Sequence, residues 1–164
     1  MPDNPVIIAG GGIGGLAAAC GLAQKGIASV VLEQAATLGE IGAGIQIGPN
    51  AFHCFDYLGI GAQARAGAVY IDALRLMDAQ TGRDITSIPL DDAFRARFKN
   101  PYAVVHRADL HRALLSYCEN SVLIDLRTNH AVTGYSQDDK TATVQIRGHD
   151  DITGRVVIGE EGLR

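Results

Sequence analysis

Near the amino terminus the chain carries Gly10-Gly11-Gly12-Ile13-Gly14-Gly15, the G-x-G-x-x-G spacing of a phosphate-cradling turn. Glycines leave backbone N–H groups bare and let an anion come close without meeting a Cβ, and the start of a helix adds a positive end to the same place. The string alone says little in a chain with 20 glycines among 164 residues; its flanks give it weight. Val6-Ile7-Ile8-Ala9 before it reads as a short buried strand of a parallel sheet. After it, Leu16, Ala17, Ala19, Cys20, Leu22 and Ala23 make a small-residue helix that stops at Gly26. Ser29 to Glu33 is β-branched again, so strand, turn, helix and strand form one βαβ unit. Glu33 stands 18 residues after Gly15, where a carboxylate accepts hydrogen bonds from the ribose hydroxyls of an adenosine. The combination predicts an adenine dinucleotide site, against the blander alternative of a helix packed tightly on a strand beside an unrelated surface glutamate. It does not separate NAD from FAD, which share the fingerprint.

Other reactive side chains lack a comparable pattern. Cys20, Cys54 and Cys118 are far apart and odd in number, without zinc spacing, and read as reduced, buried thiols. His53, His106 and His111 do not share a helix face with a carboxylate, so they are expected to be solvent or core histidines, and no metal site is expected. Ser116 and Ser121 have no nucleophile elbow. Arg95-Ala96-Arg97-Phe98-Lys99 reads as a solvated loop, with docking of NAD(P)H phosphates as the sharper alternative. A net charge of −4 argues against a nucleic-acid surface. The apolar run Pro5 to Ala23 is broken by glycines and has no basic flank, so neither a signal peptide nor a membrane span is expected, and the reading is a cytoplasmic protein.

The elements that must position the fingerprint follow along the chain. Leu38 to Pro49 is glycine-rich but too apolar for a plain linker. Asn50 is expected to cap a helix to about Leu58, followed by a helical turn over Gly59 to Ala66. Leu74–Asp78 and Ile85–Pro89 flank a turn in which Gly82 takes positive φ, a β-hairpin. Tyr102–His106 reads as a strand, with Asp109 as cap of a helix from Leu110 to about Glu119. Val122–Leu126, Ala131–Tyr135, Thr141–Arg147 and Arg155–Ile158 are strand-like, the middle of this region forming an antiparallel β-meander from about Ala131 to Thr153. The fold class is therefore α/β, a Rossmann-like core with parallel sheet, crossover helices and a meander, occupying residues 1–164 as one dinucleotide-binding domain.

Three segments, IAGGGIGGLAAA with VVLEQ, GEIGAGIQIGPNA, and VVHRADLHRALL, resemble the N-terminal part of single-component, FAD-dependent aromatic-ring monooxygenases of the salicylate hydroxylase and 3-hydroxybenzoate 6-hydroxylase type. The resemblance spans nearly the whole chain but well under half of a family member, so the substrate-binding part is expected to lie outside these 164 residues, and the chain alone is not expected to turn over. It implies FAD as cofactor, NAD(P)H as co-substrate, a small aromatic substrate and, in many relatives, a homodimer. By resemblance the ADP half of FAD falls on Gly10, Gly12, Gly14, Gly15, Glu33 and Gln34. Gly44, Ile45 and Gln46 would line the flavin, with Gln46 near the reacting face. Arg107 would reach FAD from the start of a helix, and Val132 would lay backbone against adenine. Where relatives usually carry Gly-Ala-Asp-Gly, this chain reads Gly159-Glu160-Glu161-Gly162; Glu161 keeps the flavin-contacting carboxylate on a side chain one methylene longer, and Glu160 adds a second negative charge near a phosphate. Two alternatives from other classes are a catalytically silent nucleotide-binding module and an NAD-dependent reductase that shares the fingerprint.

Overall fold

The computed structural model describes residues 4–39 and 43–160. In chain order the elements are β1 (Val6–Ala9), α1 (Ile13–Gln24), β2 (Ser29–Leu32), β3 (Gly44–Ile47), α2 (Pro49–Leu58), α3 (Gly61–Ala66), β4 (Val69–Tyr70), β5 (Ala73–Met77) and β6 (Asp84–Pro89). They continue with α4 (Asp92–Phe98), β7 (Ala103–His106), α5 (Arg107–Glu119), β8 (Ile124–Arg127), β9 (Val132–Gln137), β10 (Ala142–Ile146), β11 (Ile152–Gly154) and β12 (Val156–Gly159). The chain falls into two compact units, one built from residues 1–41 and 110–164, the other from 42–109.

The first unit is the expected α/β core. Its parallel sheet has the order β12-β1-β2-β8. All four residues of β1 are buried because the strand is covered on both faces. Ile7 packs with Val30 and Leu32 against Val144 and Ile146 of the meander, whereas the next residue, Ile8, faces α1 at Gly15. Two covered faces explain a run of consecutive apolar residues where a half-exposed strand would alternate. The meander, in the order β11-β10-β9, is antiparallel and occupies the predicted stretch. On the opposite layer, α1 and the later turns of α5 meet through buried thiols, with Cys20 Sγ 3.6 Å from Cys118 Sγ. The shared hydrogen bond and burial push the Cys118 thiol far up from its usual value. Cys54, expected to be buried, is exposed, since it lies on the outer side of an amphipathic helix whose inner side is Phe52, Phe55 and Leu58.

The second unit contains a three-stranded antiparallel sheet, β3-β7-β4, and the β5-β6 hairpin, where Gly82 has φ +69 as the turn requires. Arg65 of α3 grips Asp56 of α2 with both terminal guanidinium nitrogens, the Nη2 to Oδ2 distance being 2.8 Å, and holds that carboxyl below the usual range. Three expectations fail here. Asn50 does not cap α2; Gly48 does, with Pro49 as the first helical residue, a position where the missing N–H costs nothing. Asp109 lies in the first turn of α5, because β7 passes into the helix at Arg107 without a loop. The Arg95–Lys99 stretch is mostly helix α4, capped by the Asp91 side chain on Phe94 N at 3.1 Å.

Ile7 is fully buried and Val122 fully exposed. Ile7→Ala is therefore expected to cost about 2–5 kcal/mol in urea unfolding, with Val122→Ala within about 0.5 kcal/mol of the parent.

Candidate functional site

In the first unit the predicted turn joins the C-terminal end of β1 to α1, and contacts too close for side chains set its shape. Gly10 has φ +114, its N–H donates to Leu32 O at 2.8 Å, and a Cβ on it would lie 2.5 Å from Glu160 O. A Cβ on Gly15 would overlap the carbonyl oxygen of Gly10. Gly12, the helix N-cap, has nothing within 4 Å of where its Cβ would stand, makes no side-chain cap, and is followed by a first turn without acidic residues. The helix end thus offers bare N–H donors at an approach that any side chain at position 12 would narrow.

Glu33 closes the turn from the side. Its Oε2 accepts from Gly11 N and its Oε1 from Ala35 N, each at 2.8 Å. One backbone donor per oxygen leaves lone pairs to accept ribose hydroxyls. The carbonyl of Gly11 is held as well: His111 Nε2, on α5 and buried, lies 2.9 Å from Gly11 O. A cleft of about 1050 Å³ runs along the β9–β10 hairpin and β12, lined by Thr133, Tyr135, Asp138, Lys140, Arg155 and Val157 among others, and it reaches Ala9, Gln34, Val132, Gly159 and Glu160 near the C-terminal ends of the parallel strands. That end of an open α/β sheet is where such folds bind ligands.

The predicted residues therefore separate into two groups. Gly10, Gly12, Gly14, Gly15 and Glu33 surround one turn, and Gln34 and Val132 line the adjoining cleft. In the second unit Gly44, Ile45 and Gln46 form β3, paired with His106, Val105 and Val104 of β7. Tyr102 OH donates to Gln46 Oε1 at 2.7 Å, and Arg107 N donates to Ala43 O at 3.1 Å, placing Arg107 at the same end as Gly44. Glu161 lies outside the described residues. His111 and Tyr102 were missed as site neighbours; for His111 the available signal was a polar residue on the helix face of Leu110, Leu114 and Cys118, all buried. Among the described residues no group of three or more His, Cys, Asp or Glu is placed to hold a metal ion, and no helix is long and apolar enough to cross a membrane.

A glycine cradle on a helix end, with an acid closing the second strand, defines the class of dinucleotide-binding α/β proteins. Within it, the chain belongs to the FAD binding domain family, whose model matches residues 3–164, and its cofactor is FAD. 3-hydroxybenzoate 6-hydroxylase 1 of Aquipseudomonas alcaligenes is 49% identical over 160 residues, covering 98% of this chain and 41% of that protein. The 3-hydroxybenzoate 6-hydroxylase of Polaromonas naphthalenivorans is 48% identical over 162 residues, 99% of this chain and 40% of that protein. The chain thus spans about two fifths of these relatives' length. Among solved structures, Klebsiella pneumoniae HpxO complexed with FAD and uric acid matches with a TM-score of 0.81 at 28% identity, over 98% of this chain and 40% of that one. The p-nitrophenol 4-monooxygenase PnpA of Pseudomonas putida shares the fold, with a TM-score of 0.85 at 20% identity, over 97% of this chain and 41% of that one.

The cradle suits the pyrophosphate-bearing half of FAD in chemistry, since it combines helix-start N–H groups, open space at Gly12 and a carboxylate with spare lone pairs at Glu33. Glu33→Ala is expected to weaken FAD binding about tenfold, the worth of about one charged hydrogen bond at the low end of its range; a fluorescence titration giving the parent affinity would refute the role.

Proposed function

We propose that this chain is the FAD-binding part of an NAD(P)H-dependent hydroxylase of small phenolic acids, with hydroxybenzoates as the substrate class. The observation that carries the reading is identity near one half, over nearly the whole chain, to two 3-hydroxybenzoate 6-hydroxylases. In the reaction, NAD(P)H, O₂ and a proton convert a ring C–H to C–OH with release of NAD(P)⁺ and water. FAD, when bound, supplies the capacity to accept a hydride and to activate O₂, chemistry that no amino-acid side chain offers.

The chain's own residues bind and orient. The N–H groups of Gly12 to Gly15, at the start of α1, receive the pyrophosphate, and Glu33 accepts from the adenosine ribose. Gln34 and the backbone at Val132 flank the adenine. Gly44 and Ile45 run along the flavin, and the absent side chain at Gly44 keeps that approach close. Gln46, oriented by the Tyr102 hydroxyl, presents an amide toward the reacting side. Arg107 offers a planar fork of donors to a phosphate or ribityl oxygen, and Glu161 a carboxylate to the ribityl chain. The general base for the phenol is not among these residues. Reduced cysteines, two of them buried as a thiol pair, favour a cytoplasmic setting, and a homodimer is the assembly we expect.

The purified chain should turn yellow with FAD and show a bound-flavin spectrum. Protein expressed from the complete gene should oxidise NADH or NADPH faster in the presence of 3-hydroxybenzoate, with a dihydroxylated product. A chain whose unfolding temperature rises with NAD but not with FAD, or a flavoprotein unresponsive to every hydroxybenzoate, would overturn the respective halves of this reading.

A further inference from the structure

Glu160 follows directly on β12, and its N–H donates to Ala9 O at 2.8 Å, so the strand pairing of β1 with β12 continues to the edge of the turn. That pairing fixes where its side chain goes. The carboxylate stands over the Cα of Gly14, in the first turn of α1: a Cβ built there would lie 2.9 Å from Glu160 Cδ and 3.5 Å from Oε1. The helix has no acid of its own in that turn and no side-chain cap at Gly12, and Glu160 brings a carboxylate beside that turn from the end of β12. The same residue lines the cleft at the ends of the parallel strands.

We propose that the Glu160 carboxylate and the pyrophosphate of the dinucleotide compete for one helix end, which makes Glu160 the residue that sets cofactor affinity in this chain. The inference rests on the FAD reading and deepens it. Two anions beside one helix start repel each other, so the phosphates must either displace the carboxylate or bind beside it at a Coulombic cost. Glu33 does not compete in this way, because both of its oxygens are already held by the N–H groups of Gly11 and Ala35, on the ribose side.

The test is equilibrium binding by the whole chain and by Glu160→Gln and Glu160→Ala, with FAD, ADP and adenosine as probes. The glutamine variant keeps the shape and removes only the charge. It should bind FAD and ADP about tenfold more tightly than the parent, with the gap narrowing as salt is added, and bind adenosine unchanged. Glu160→Ala should show the same ordering, and a lower unfolding temperature without ligand would agree with the lost anion at the helix end. Equal or weaker FAD and ADP binding by both variants overturns the proposal while leaving the cofactor assignment intact, provided the parent binds FAD. Equal tightening of all three probes also overturns it, since adenosine carries no phosphate. If neither the parent nor either variant binds FAD or ADP, the cofactor reading falls together with the proposal.

Discussion

The first unit is organised by one contact: the carbonyl of Gly10 lies against the Cα of Gly15, at a separation that no Cβ on residue 15 would permit. This approach lets α1 sit directly on the end of β1, so the helix start and the C-terminal ends of the parallel strands share one edge. Once the turn is fixed there, its peptide groups face defined directions. Residue 11 is then held at both of its backbone groups, its N–H by Glu33 and its carbonyl by His111. A turn restrained by a carboxylate from β2 and a ring from α5 has lost most of its freedom before a ligand arrives, which is how a backbone site becomes preorganised.

The layers around it follow from burial. A four-residue strand covered on both faces has no solvent side, and β1 and β2 contribute Ile7, Val30 and Leu32 to the meander while Ile8 faces α1. The meander is therefore a structural requirement of the sheet: without β10, Ile7 and its neighbours would face water. On the helix layer, Ala19 and Cys20 of α1 are fully buried small residues, and the thiols of Cys20 and Cys118 mark how closely α1 and α5 approach.

How legible each feature was depends on how local its cause is. The βαβ unit and its glycine turn follow from residues within one stretch of chain, where Gly spacing, β-branched runs and the acid at 33 agree with one another. The helix caps at Asn50 and Asp109 were misplaced because a good capping residue is only a propensity. At the first, Pro49 already has the φ that a helix start needs; at the second, the β3–β7 ladder, continued by Arg107 N on Ala43 O, brings the chain straight from strand to helix. Helix α4 buries no residue, so it leaves no apolar periodicity to read, and β3 begins with a glycine that carries no strand signal. His111 was obscure for another reason. Its partner is 100 positions away in sequence, and a single histidine on an apolar helix face reads as core until the carbonyl it meets is known.

The two carboxylates at the turn show why residue type alone does not define a role. Glu33 reaches the turn at Gly11 and Glu160 the first helical turn at Gly14, and the strand that delivers each one decides what it can do. Glu33 leaves β2 with its backbone held by Arg127 O and His130 N, which directs its oxygens across the turn to peptide N–H groups and leaves spare acceptor capacity outward. Glu160 leaves β12, which pairs with β1 on its other side, and so arrives over the helix end itself. An acid that accepts from the loop strengthens a site for a neutral hydroxyl, whereas an acid seated on the positive end opposes a second anion there. The sheet order β12-β1-β2 therefore brings one carboxylate to each flank of the glycine turn, one bonded to its backbone and one beside the first turn of α1.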